Sequence, residues 1–360
     1  MKNAAEKSAL ETLFLPLRTD DFSSYFKNTQ RRVVFLNARF SRGFKDFYQA
    51  YDDPRPDLKL IQPFKPYAQD WPPEQYTKLV NNTDNSEGGY EGYDLALVLA
   101  TKSRIETEIA LAQAGLALLG QAWLICAADN KEGASRLKQM FHALGFETVL
   151  ELSKHKARVC WAQKSERFNA AQAENWAQRD RLTQAEHGFW SRAGIYGWDK
   201  IDIGSALLSA ALPDGLSGYG ADFGCGYGAL AIAALRENRA ITVLDYIDAD
   251  ARALEACGKN LETFDVRKNA LWLDLTRRNQ ELKGRYDWIV MNPPFHEGKK
   301  TDSDIGRSFI QSAAEALKKN GRLYMVANRH LPYETILGEV FKSVHTLFDT
   351  QGFKGFCALK

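Results

Sequence analysis

The chain has 360 residues, of which 45% are hydrophobic and 26% charged, and its formal net charge is +2. This length favours two domains, and this composition is typical of a soluble globular protein. The small charge does not by itself indicate nucleic-acid binding, but it permits a local basic patch. The sequence has neither a bilayer-length apolar run nor a signal-peptide pattern, so we expect a cytoplasmic protein.

In the first half, apolar runs alternate with helix-like stretches, which predicts α/β units around a mostly parallel sheet. The predicted strands are residues 33–36, 93–98 and 120–126. Residues 54–73 contain six prolines and residues 81–92 are rich in Asn, Gly and acids, so we predict loops at both places. Residues 166–186 are polar and alanine-rich, which predicts a linker helix. We therefore expect one domain at residues 1–165 and a second at residues 166–360.

The second half has a clearer pattern of alternating strands and helices. The predicted strands are residues 219–223, 241–247, 270–272, 286–291 and 321–327, with a strand pair within 345–359 around a turn at 349–352. The predicted helices are residues 229–237, 251–261, 305–318 and 333–341.

An internal repeat relates the two halves. YDLALV at residues 93–98 resembles YDWIVM at residues 286–291, and in each half a helix, a glycine and a strand follow. The copies differ where chemistry is expected, because residues 99–102 (LATK) replace residues 292–295 (NPPF) and residues 37–40 (NARF) replace a glycine-rich turn. A copy that keeps the core pattern without these polar groups is suited to binding or to a scaffold role.

The glycine-rich turn DFGCGYG, residues 222–228, follows a strand and opens a helix. Gly224, Gly226 and Gly228 allow a sharp turn and a close approach to a ligand, because glycine has no Cβ. The spacing fits the loose dinucleotide fingerprint, and it also fits a methyltransferase turn with an acid two residues before the first glycine. Asp222 is that acid, and a carboxylate suits the cationic S-adenosylmethionine but repels a pyrophosphate.

Acidic residues also follow the next two strands. A ribose-binding carboxylate is expected at the next strand end, about 20 residues beyond the turn. Asp248 has this spacing and is preferred, while Asp245 and Asp250 remain alternatives and any of the three could cap the following helix. Asp274 follows the third strand and is a candidate acceptor for the adenine amino group, with helix capping as the alternative.

The strongest motif is Asn292-Pro293-Pro294-Phe295, directly after a buried strand. Two prolines make the turn stiff. The Asn292 amide and the Pro293 carbonyl can both accept hydrogen bonds from one NH2 group, which holds the nitrogen lone pair toward a methyl donor. Phe295 offers a face on which a planar base or amide can stack. In-line positioning supplies most of the rate, so no strong general base is required.

With these motifs the chain resembles the two-domain bacterial ribosomal RNA guanine-N2 methyltransferases, which comprise a C type for the small ribosomal subunit and a G type for the large one. These are class I S-adenosylmethionine-dependent enzymes whose motif is Asn/Asp-Pro-Pro followed by an aromatic residue. The resemblance also rests on FWSR at residues 189–192, DIGS at 202–205, NPPFHEG at 292–298 and VANRHLPY at 326–333.

The resemblance implies two tandem Rossmann-like methyltransferase domains, each with a mostly parallel seven-stranded sheet and an antiparallel C-terminal strand. The first domain would be a degenerate copy for RNA recognition or a scaffold role. The second would transfer a methyl group from S-adenosylmethionine to guanine N2 and release S-adenosylhomocysteine. Ribosomal RNA or a ribosomal subunit is the expected partner. We expect a monomer and no membrane association.

Other functions remain open from the residues alone. A methyltransferase for a protein glutamine amide or for adenine N6 would use the same turn, and a non-catalytic RNA-binding module or a nicotinamide dehydrogenase would not. The five scattered cysteines include no C-x-x-C pair, so we expect reduced thiols and no metal site. Candidate RNA-contacting cations are Arg31, Arg32, Arg39, Arg42, Arg277, Arg278, Lys299 and Lys300.

Overall fold

The computed structural model describes residues 6–51, 54–76, 79–80, 91–294 and 300–360. Its contacts divide the chain into two units, Met1–Arg181 and Leu182–Lys360. The first unit therefore ends at Arg181 and not at the predicted residue 165. The helix Ala170–Ala177, which we expected to lead the second domain, packs within the first unit against the helix Arg104–Ala117.

The first unit contains a seven-stranded sheet of order β3-β2-β1-β4-β5-β7-β6. Neighbouring strands from β3 to β5 are parallel, and β7 runs antiparallel to both of its neighbours. The strands are β1 (Arg32–Leu36), β2 (Asp57–Ile61), β3 (Leu79–Val80), β4 (Tyr93–Leu99), β5 (Leu118–Asp129), β6 (Leu150–Lys154) and β7 (Ala157–Gln163).

The second unit repeats this order as β12-β11-β10-β13-β14-β16-β15, again with an antiparallel strand next to the last. A separate two-stranded ribbon, β8 with β9, precedes the sheet. The strands are β8 (Thr183–Gln184), β9 (Trp190–Ser191), β10 (Gly218–Phe223), β11 (Ile241–Asp248), β12 (Arg267–Trp272), β13 (Tyr286–Met291), β14 (Leu317–Asn328), β15 (Ser343–Thr350) and β16 (Phe353–Leu359).

Helices connect the parallel strands in both units, as a parallel sheet requires. In the first unit they are α1 (Glu6–Leu13), α2 (Asp20–Phe26), α3 (Arg42–Ala50), α4 (Lys65–Ala68), α5 (Pro73–Tyr76), α6 (Arg104–Ala117), α7 (Leu137–Ala143) and α8 (Ala170–Ala177). In the second unit they are α9 (Ile203–Ala211), α10 (Ala229–Glu237), α11 (Ala251–Leu261), α12 (Lys300–Ala316) and α13 (Tyr333–Val340).

The repeated strands β4 and β13 occupy the same place in the two sheets, beside β1 and β10 respectively. Each is buried along nearly its whole length, because helices cover both faces of a parallel sheet. The predicted fold class, two Rossmann-like copies with an antiparallel strand near the end, is therefore confirmed.

Three predictions of local structure were wrong or only partly right. Residues 54–73 are not all loop, because β2 lies inside this segment and pairs with both β1 and β3. The linker helix is shorter than predicted and covers only α8 and a 3-10 turn, Gln178–Asp180. The β15–β16 hairpin turns at Gln351 and Gly352 alone, both with positive φ, so the strands include residues 349 and 350. Of the predicted loop at residues 81–92, residues 81–90 lie outside the described part.

No helix in the described part of the chain is both long and apolar enough to cross a membrane. The described residues also contain no group of three or more side chains arranged to hold a metal ion. All five cysteines are described; each is free, and four are buried. Their reduced state stays a prediction.

Candidate active site

Three of the predicted motifs lie at one edge of the second sheet. Phe223 pairs in parallel register with Ile247 on one side and with Met291 on the other. The residues that follow these strands are therefore neighbours, since adjacent strands lie about 4.8 Å apart. Gly224, Asp248 and Asn292 meet at this edge, and the strand order places Asp274 beyond Asp248. Open α/β sheets bind ligands at this carboxyl edge.

Two of the three glycines in the glycine-rich turn leave room for a methyl group beside them. Gly224, Gly226 and Gly228 have φ values of +76°, +53° and +95°, a region that favours glycine. A Cβ at Gly224 or Gly226 would meet no atom closer than 3.4 Å, whereas one at Gly228 would lie 2.8 Å from the Cys257 Sγ. The first two positions therefore have room for a Cβ in ordinary van der Waals contact, with the Phe309 ring and the Tyr196 carbonyl respectively, and Gly228 is required by packing.

Asp222 has a buried oxygen without a partner. Its Oδ2 accepts a hydrogen bond from the Ala231 backbone N–H at 3.0 Å, and its Oδ1 has no hydrogen-bond partner among the described residues. Burial raises the pKa of Asp222 to about 7, and the nearby Asp248 charge also raises it. An unpaired buried acceptor is costly, so this oxygen is suited to a cationic or hydrogen-bonding ligand.

Asp248 holds the turn in place. Its Oδ2 accepts from the Gly226 N–H and its Oδ1 from the Asp250 N–H, both at 2.9 Å. Burial raises the pKa of Asp248 to about 6, although these backbone hydrogen bonds oppose the shift. The two carboxylate oxygens can accept up to four hydrogen bonds, which is more than these backbone groups supply.

The two alternative acids have other roles in the structure. Asp245 is fully buried and accepts hydrogen bonds from Tyr219, Asn269 and Tyr286 side chains. It also pairs with the Arg285 guanidinium at 3.0 Å. Asp250 caps α11. These contacts favour Asp248 as the acid that faces a ligand.

Asp274 makes several local contacts. Its Oδ1 accepts from the Thr276 backbone N–H at 3.0 Å and from the Thr276 hydroxyl at 2.5 Å. Its Oδ2 lies 3.3 Å from Arg277 Nε. A local turn-capping role therefore has direct support at this residue, and an adenine contact stays a prediction.

The Asn292 side chain is held in one orientation. Its Nδ2 donates to Asp202 Oδ2 at 2.8 Å and to Ser205 Oγ at 2.9 Å. A carboxylate only accepts hydrogen bonds, so the amide nitrogen must face Asp202. The other end, Oδ1, is buried and has no partner among the described residues. Of the rest of the motif, Pro293 is buried and Pro294 exposed, and Phe295 lies outside the described residues.

Sequence reasoning gave Asp202 and Ser205 no role in the site. Asp202 is the N-cap of α9, and its Oδ2 accepts from the Ser205 N–H at 2.7 Å. The DIGS string could have indicated a cap, since Asp before a helix is a common cap. The hydrogen bond from Asn292 to Asp202 joins residues 90 positions apart, and no local sequence pattern predicts it.

A stack of aromatic rings next to the turn was also missed. The ring centroids of Tyr227 and His187 lie 5.1 Å apart, and those of Tyr227 and Phe189 lie 5.7 Å apart. Asn260 ties the stack to β9, because its Nδ2 donates to the carbonyls of both Tyr227 and Trp190. The Tyr227 hydroxyl and the His187 Nε2 are buried without partners among the described residues. These polar atoms add to the unpaired groups around the glycine-rich turn.

The matching edge of the first sheet is closed by its own side chains. Asn37 takes the place of Gly224, and its Nδ2 donates to the Leu99 carbonyl at 2.9 Å. Gln62 takes the place of Asp248 and bonds to Ala38 and Phe64 backbone groups, both at 2.9 Å. Leu99 itself takes the place of Asn292 and is buried. The unpaired acceptors of the second unit have no counterpart at these three positions.

Most of the cations considered for RNA contact have partners within the chain. Arg31 pairs with Asp94 at 3.0 Å, and Arg278 pairs with Glu315 at 2.6 Å. Arg39 lies 3.6 Å above the Tyr67 ring. The Arg42 side chain is 89% exposed, and its ion pair with Asp46 is long, at 3.9 Å. Arg42 is therefore the most available of the described candidates for RNA contact. Lys299 lies outside the described residues.

Comparison with known proteins covers both units. The family model "Methyltransferase small domain" matches residues 186–356. Two relatives named Ribosomal RNA small subunit methyltransferase C are each 30% identical to this chain. The Psychromonas ingrahamii protein matches over 77% of this chain and 79% of its own length. The Shewanella pealeana protein matches over 75% and 78%.

A solved structure shows the same fold. It is the T. thermophilus 16S rRNA N2 G1207 methyltransferase in complex with AdoMet and guanosine. The TM-score is 0.75 at 22% sequence identity, and the match covers 100% of this chain and 92% of that chain.

Proposed function

We propose that this chain, which belongs to the ribosomal RNA small subunit methyltransferase C family, methylates the exocyclic N2 of a guanine in ribosomal RNA. The methyl donor is S-adenosylmethionine, and the second unit carries the site. The first unit serves RNA recognition or a scaffold role.

The observation that carries the proposal is the oriented amide of Asn292. Its nitrogen is held by Asp202 and Ser205, which leaves its oxygen as an acceptor at the edge of the glycine-rich turn. An exocyclic amine is a weak nucleophile while its lone pair is delocalised into the ring. Hydrogen bonds from its NH2 group to the Asn292 oxygen and the Pro293 carbonyl favour a localised lone pair. The reaction then depends mainly on positioning.

The residues around the turn fit a cationic cofactor. When bound, S-adenosylmethionine supplies an electrophilic methyl group on a sulfonium. Asp222 offers a buried unpaired oxygen, and Gly224 and Gly226 leave room for a ligand. Asp248 has lone pairs that remain free for ribose hydroxyls. Two carboxylates at one turn disfavour the pyrophosphate of a nicotinamide dinucleotide.

A protein glutamine amide and adenine N6 are the alternative targets, because either presents an NH2 group that the same turn could hold. Family membership favours ribosomal RNA, and the T. thermophilus structure, which contains guanosine, favours guanine. The duplicated fold favours it as well, since the first unit repeats the sheet of the second.

The proposal is tested by incubating the protein with labelled cofactor and 16S ribosomal RNA, either free or in assembled small subunits. We expect label at N2 of a guanine, and comparison of the two substrates identifies the form that is used. Asn292→Ala should lower the rate at least about a hundredfold, in the range found when one transition-state hydrogen bond is removed. Its cofactor affinity, measured by calorimetry, should stay near wild type. Label in adenine or protein, or full activity of Asn292→Ala, would contradict the proposal.

A further inference from the structure

The segment at residues 194–200, between Arg192 and α9, packs onto the glycine-rich turn. Ile195 is 3% exposed and belongs to a small apolar cluster with Tyr227 and two alanines of α11. A Cβ at Gly197 would lie 3.1 Å from a ring carbon of Tyr227, so the segment and the turn are in close contact. The segment is therefore held beside the site on its own apolar contacts.

Tyr196 connects this segment to the catalytic amide. Its hydroxyl donates a hydrogen bond of 2.6 Å to Asp202 Oδ1. The other oxygen of Asp202 accepts from Asn292 Nδ2 and from the Ser205 N–H. Tyr196 is 57% exposed, but partial burial of its hydroxyl raises the pKa, and the hydrogen bond to Asp202 raises it further. The hydroxyl therefore stays protonated and remains a donor.

The Tyr196 bond has a mechanical effect on the Asp202 carboxylate. With Tyr196 in place, both carboxylate oxygens are held, one by Tyr196 and the other by Asn292 and Ser205. Without it, Oδ1 loses the hydroxyl that holds it and the carboxylate can turn about its Cβ–Cγ bond, which is a soft torsion. Such a turn would weaken the bond that fixes the Asn292 amide.

We propose that Tyr196 is a positioning residue for methyl transfer, acting on Asn292 through Asp202. It holds the Asp202 carboxylate so that the Asn292 nitrogen is engaged and the Asn292 oxygen stays directed at the substrate amine. The inference rests on the proposed function for its kinetic consequence. The hydrogen-bonded connection itself does not depend on which substrate is methylated.

The first test is Tyr196→Phe in the full chain, which removes only the hydroxyl. We expect kcat on 16S ribosomal RNA to fall about tenfold, the size of effect expected when one hydrogen bond to a charged group is lost. Cofactor affinity and KM for RNA should change less than about twofold. Tyr324→Phe, which removes a hydroxyl in β14, is the matched control and should keep wild-type kcat. Wild-type kcat in Tyr196→Phe would overturn the inference.

A double-mutant cycle tests the route through Asp202. Asp202→Ser keeps an N-cap oxygen for the Ser205 amide but has no second oxygen for Tyr196. In this background, Tyr196→Phe should cause no further loss of kcat, because the Asp202 carboxylate that connects Tyr196 to Asn292 is absent. Independent, additive losses would show that Tyr196 acts elsewhere and would overturn the inference.

A readout without turnover separates this inference from the proposed function. The side-chain NH2 resonance of Asn292, assigned by its absence in Asn292→Ala, should shift in Tyr196→Phe and not in Tyr324→Phe. If the wild type methylates no guanine but the resonance shifts, the proposed function fails and the Tyr196 link stands. If guanine is methylated but Tyr196→Phe leaves both the resonance and kcat unchanged, the Tyr196 link fails alone.

Discussion

Single acidic side chains around the second sheet differ in how completely the fold satisfies them. Asp245 receives hydrogen bonds from three side chains and an ion pair, and it has no exposed surface. Asp222 has one oxygen unpaired among the described residues, and Asp248 bonds only to backbone N–H groups of the two turns beside it. Asp245 therefore contributes to the stability of the fold, whereas Asp222 and Asp248 are suited to binding a ligand.

This difference predicts that two substitutions affect different properties, cofactor affinity in one case and stability in the other. Asp248→Ala should weaken cofactor binding about tenfold or more, because hydrogen bonds to a charged acceptor contribute about 1.5–3 kcal/mol. Asp245→Ala should lower the free energy of unfolding by about 3 kcal/mol, because it leaves Arg285 without its buried partner. Calorimetric titration and thermal unfolding measure the two effects. Weak cofactor binding by a stable Asp245→Ala protein would reverse the assignment.

The raised pKa values predict that cofactor binding depends on pH. The pKa is about 7 for Asp222 and about 6 for Asp248, both raised mainly by burial. A group whose pKa is raised on folding contributes stability at low pH that is lost as pH rises through the folded value. A cationic ligand binds the ionised form, so affinity should increase from about pH 5.5 to about pH 7.5 and then level off. Calorimetric titration with the cofactor across this pH range checks the prediction. Asp222→Asn should remove the increase in affinity in the upper part of the range.

Sequence reasoning at the residue scale found groups whose position follows from a local pattern. Asn292 and Asp248 come directly after or at the end of a predicted strand, and the structure brings both to the same edge as the glycine-rich turn. Tyr196 and Asp202 were not assigned roles. Asp202 bonds to Asn292, and Tyr196 bonds to Asp202. The contact between Asp202 and Asn292 spans 90 residues of sequence, so it depends on the folded arrangement of several elements.

At the scale of elements, the pattern of apolar residues predicted most of the second unit. The bounds of α10, α11 and β13 agree with prediction because continuous or amphipathic apolar runs end at clear polar or turn residues. The strand β2 was missed because prolines lie on both sides of it. Proline is compatible with the flanks of a strand, and none lies between Asp57 and Ile61.

Two glycine substitutions separate the effect of a methyl group beside the glycine-rich turn from the cost of placing alanine at positive φ. Gly226→Ala and Gly284→Ala both place a Cβ at positive φ, +53° and +62°, without a steric clash. Each should cost about 1–2 kcal/mol in unfolding free energy. Only Gly226→Ala puts a methyl group into the space beside the site, so it alone should weaken cofactor affinity, by about tenfold or more. Equal affinities of the two variants would show that a ligand does not use this space.

At the scale of the whole molecule, the two units share a strand order but differ in how polar groups are used. The second unit leaves acceptors unpaired at its carboxyl edge, whereas the first fills the matching positions with Asn37, Gln62 and Leu99. The internal repeat predicted the shared fold. It could not predict which side chains occupy the carboxyl edge of the first sheet, because that depends on the hydrogen bonds that individual side chains make in the folded protein.

The difference predicts one cofactor site per chain. Titration of the full chain with S-adenosylmethionine should give a stoichiometry of one, because the Asn37 and Gln62 side chains at the matching edge of the first unit bond to backbone groups of that unit. Asp248→Ala should weaken that single transition. A stoichiometry of two, or one strong site that survives Asp248→Ala unchanged, would contradict this prediction.

The closed edge of the first unit bears on how easily a duplicated domain regains a lost activity. Asn37 bonds to the carbonyl of Leu99, and Gln62 and the Trp71 ring nitrogen both bond to the carbonyl of Ala38. Reverting any one of these residues would leave the others filling the same space and would orphan a buried partner. Several substitutions would therefore have to occur together before the first unit could bind a ligand at this edge. Loss of the site in the first copy is for this reason difficult to reverse.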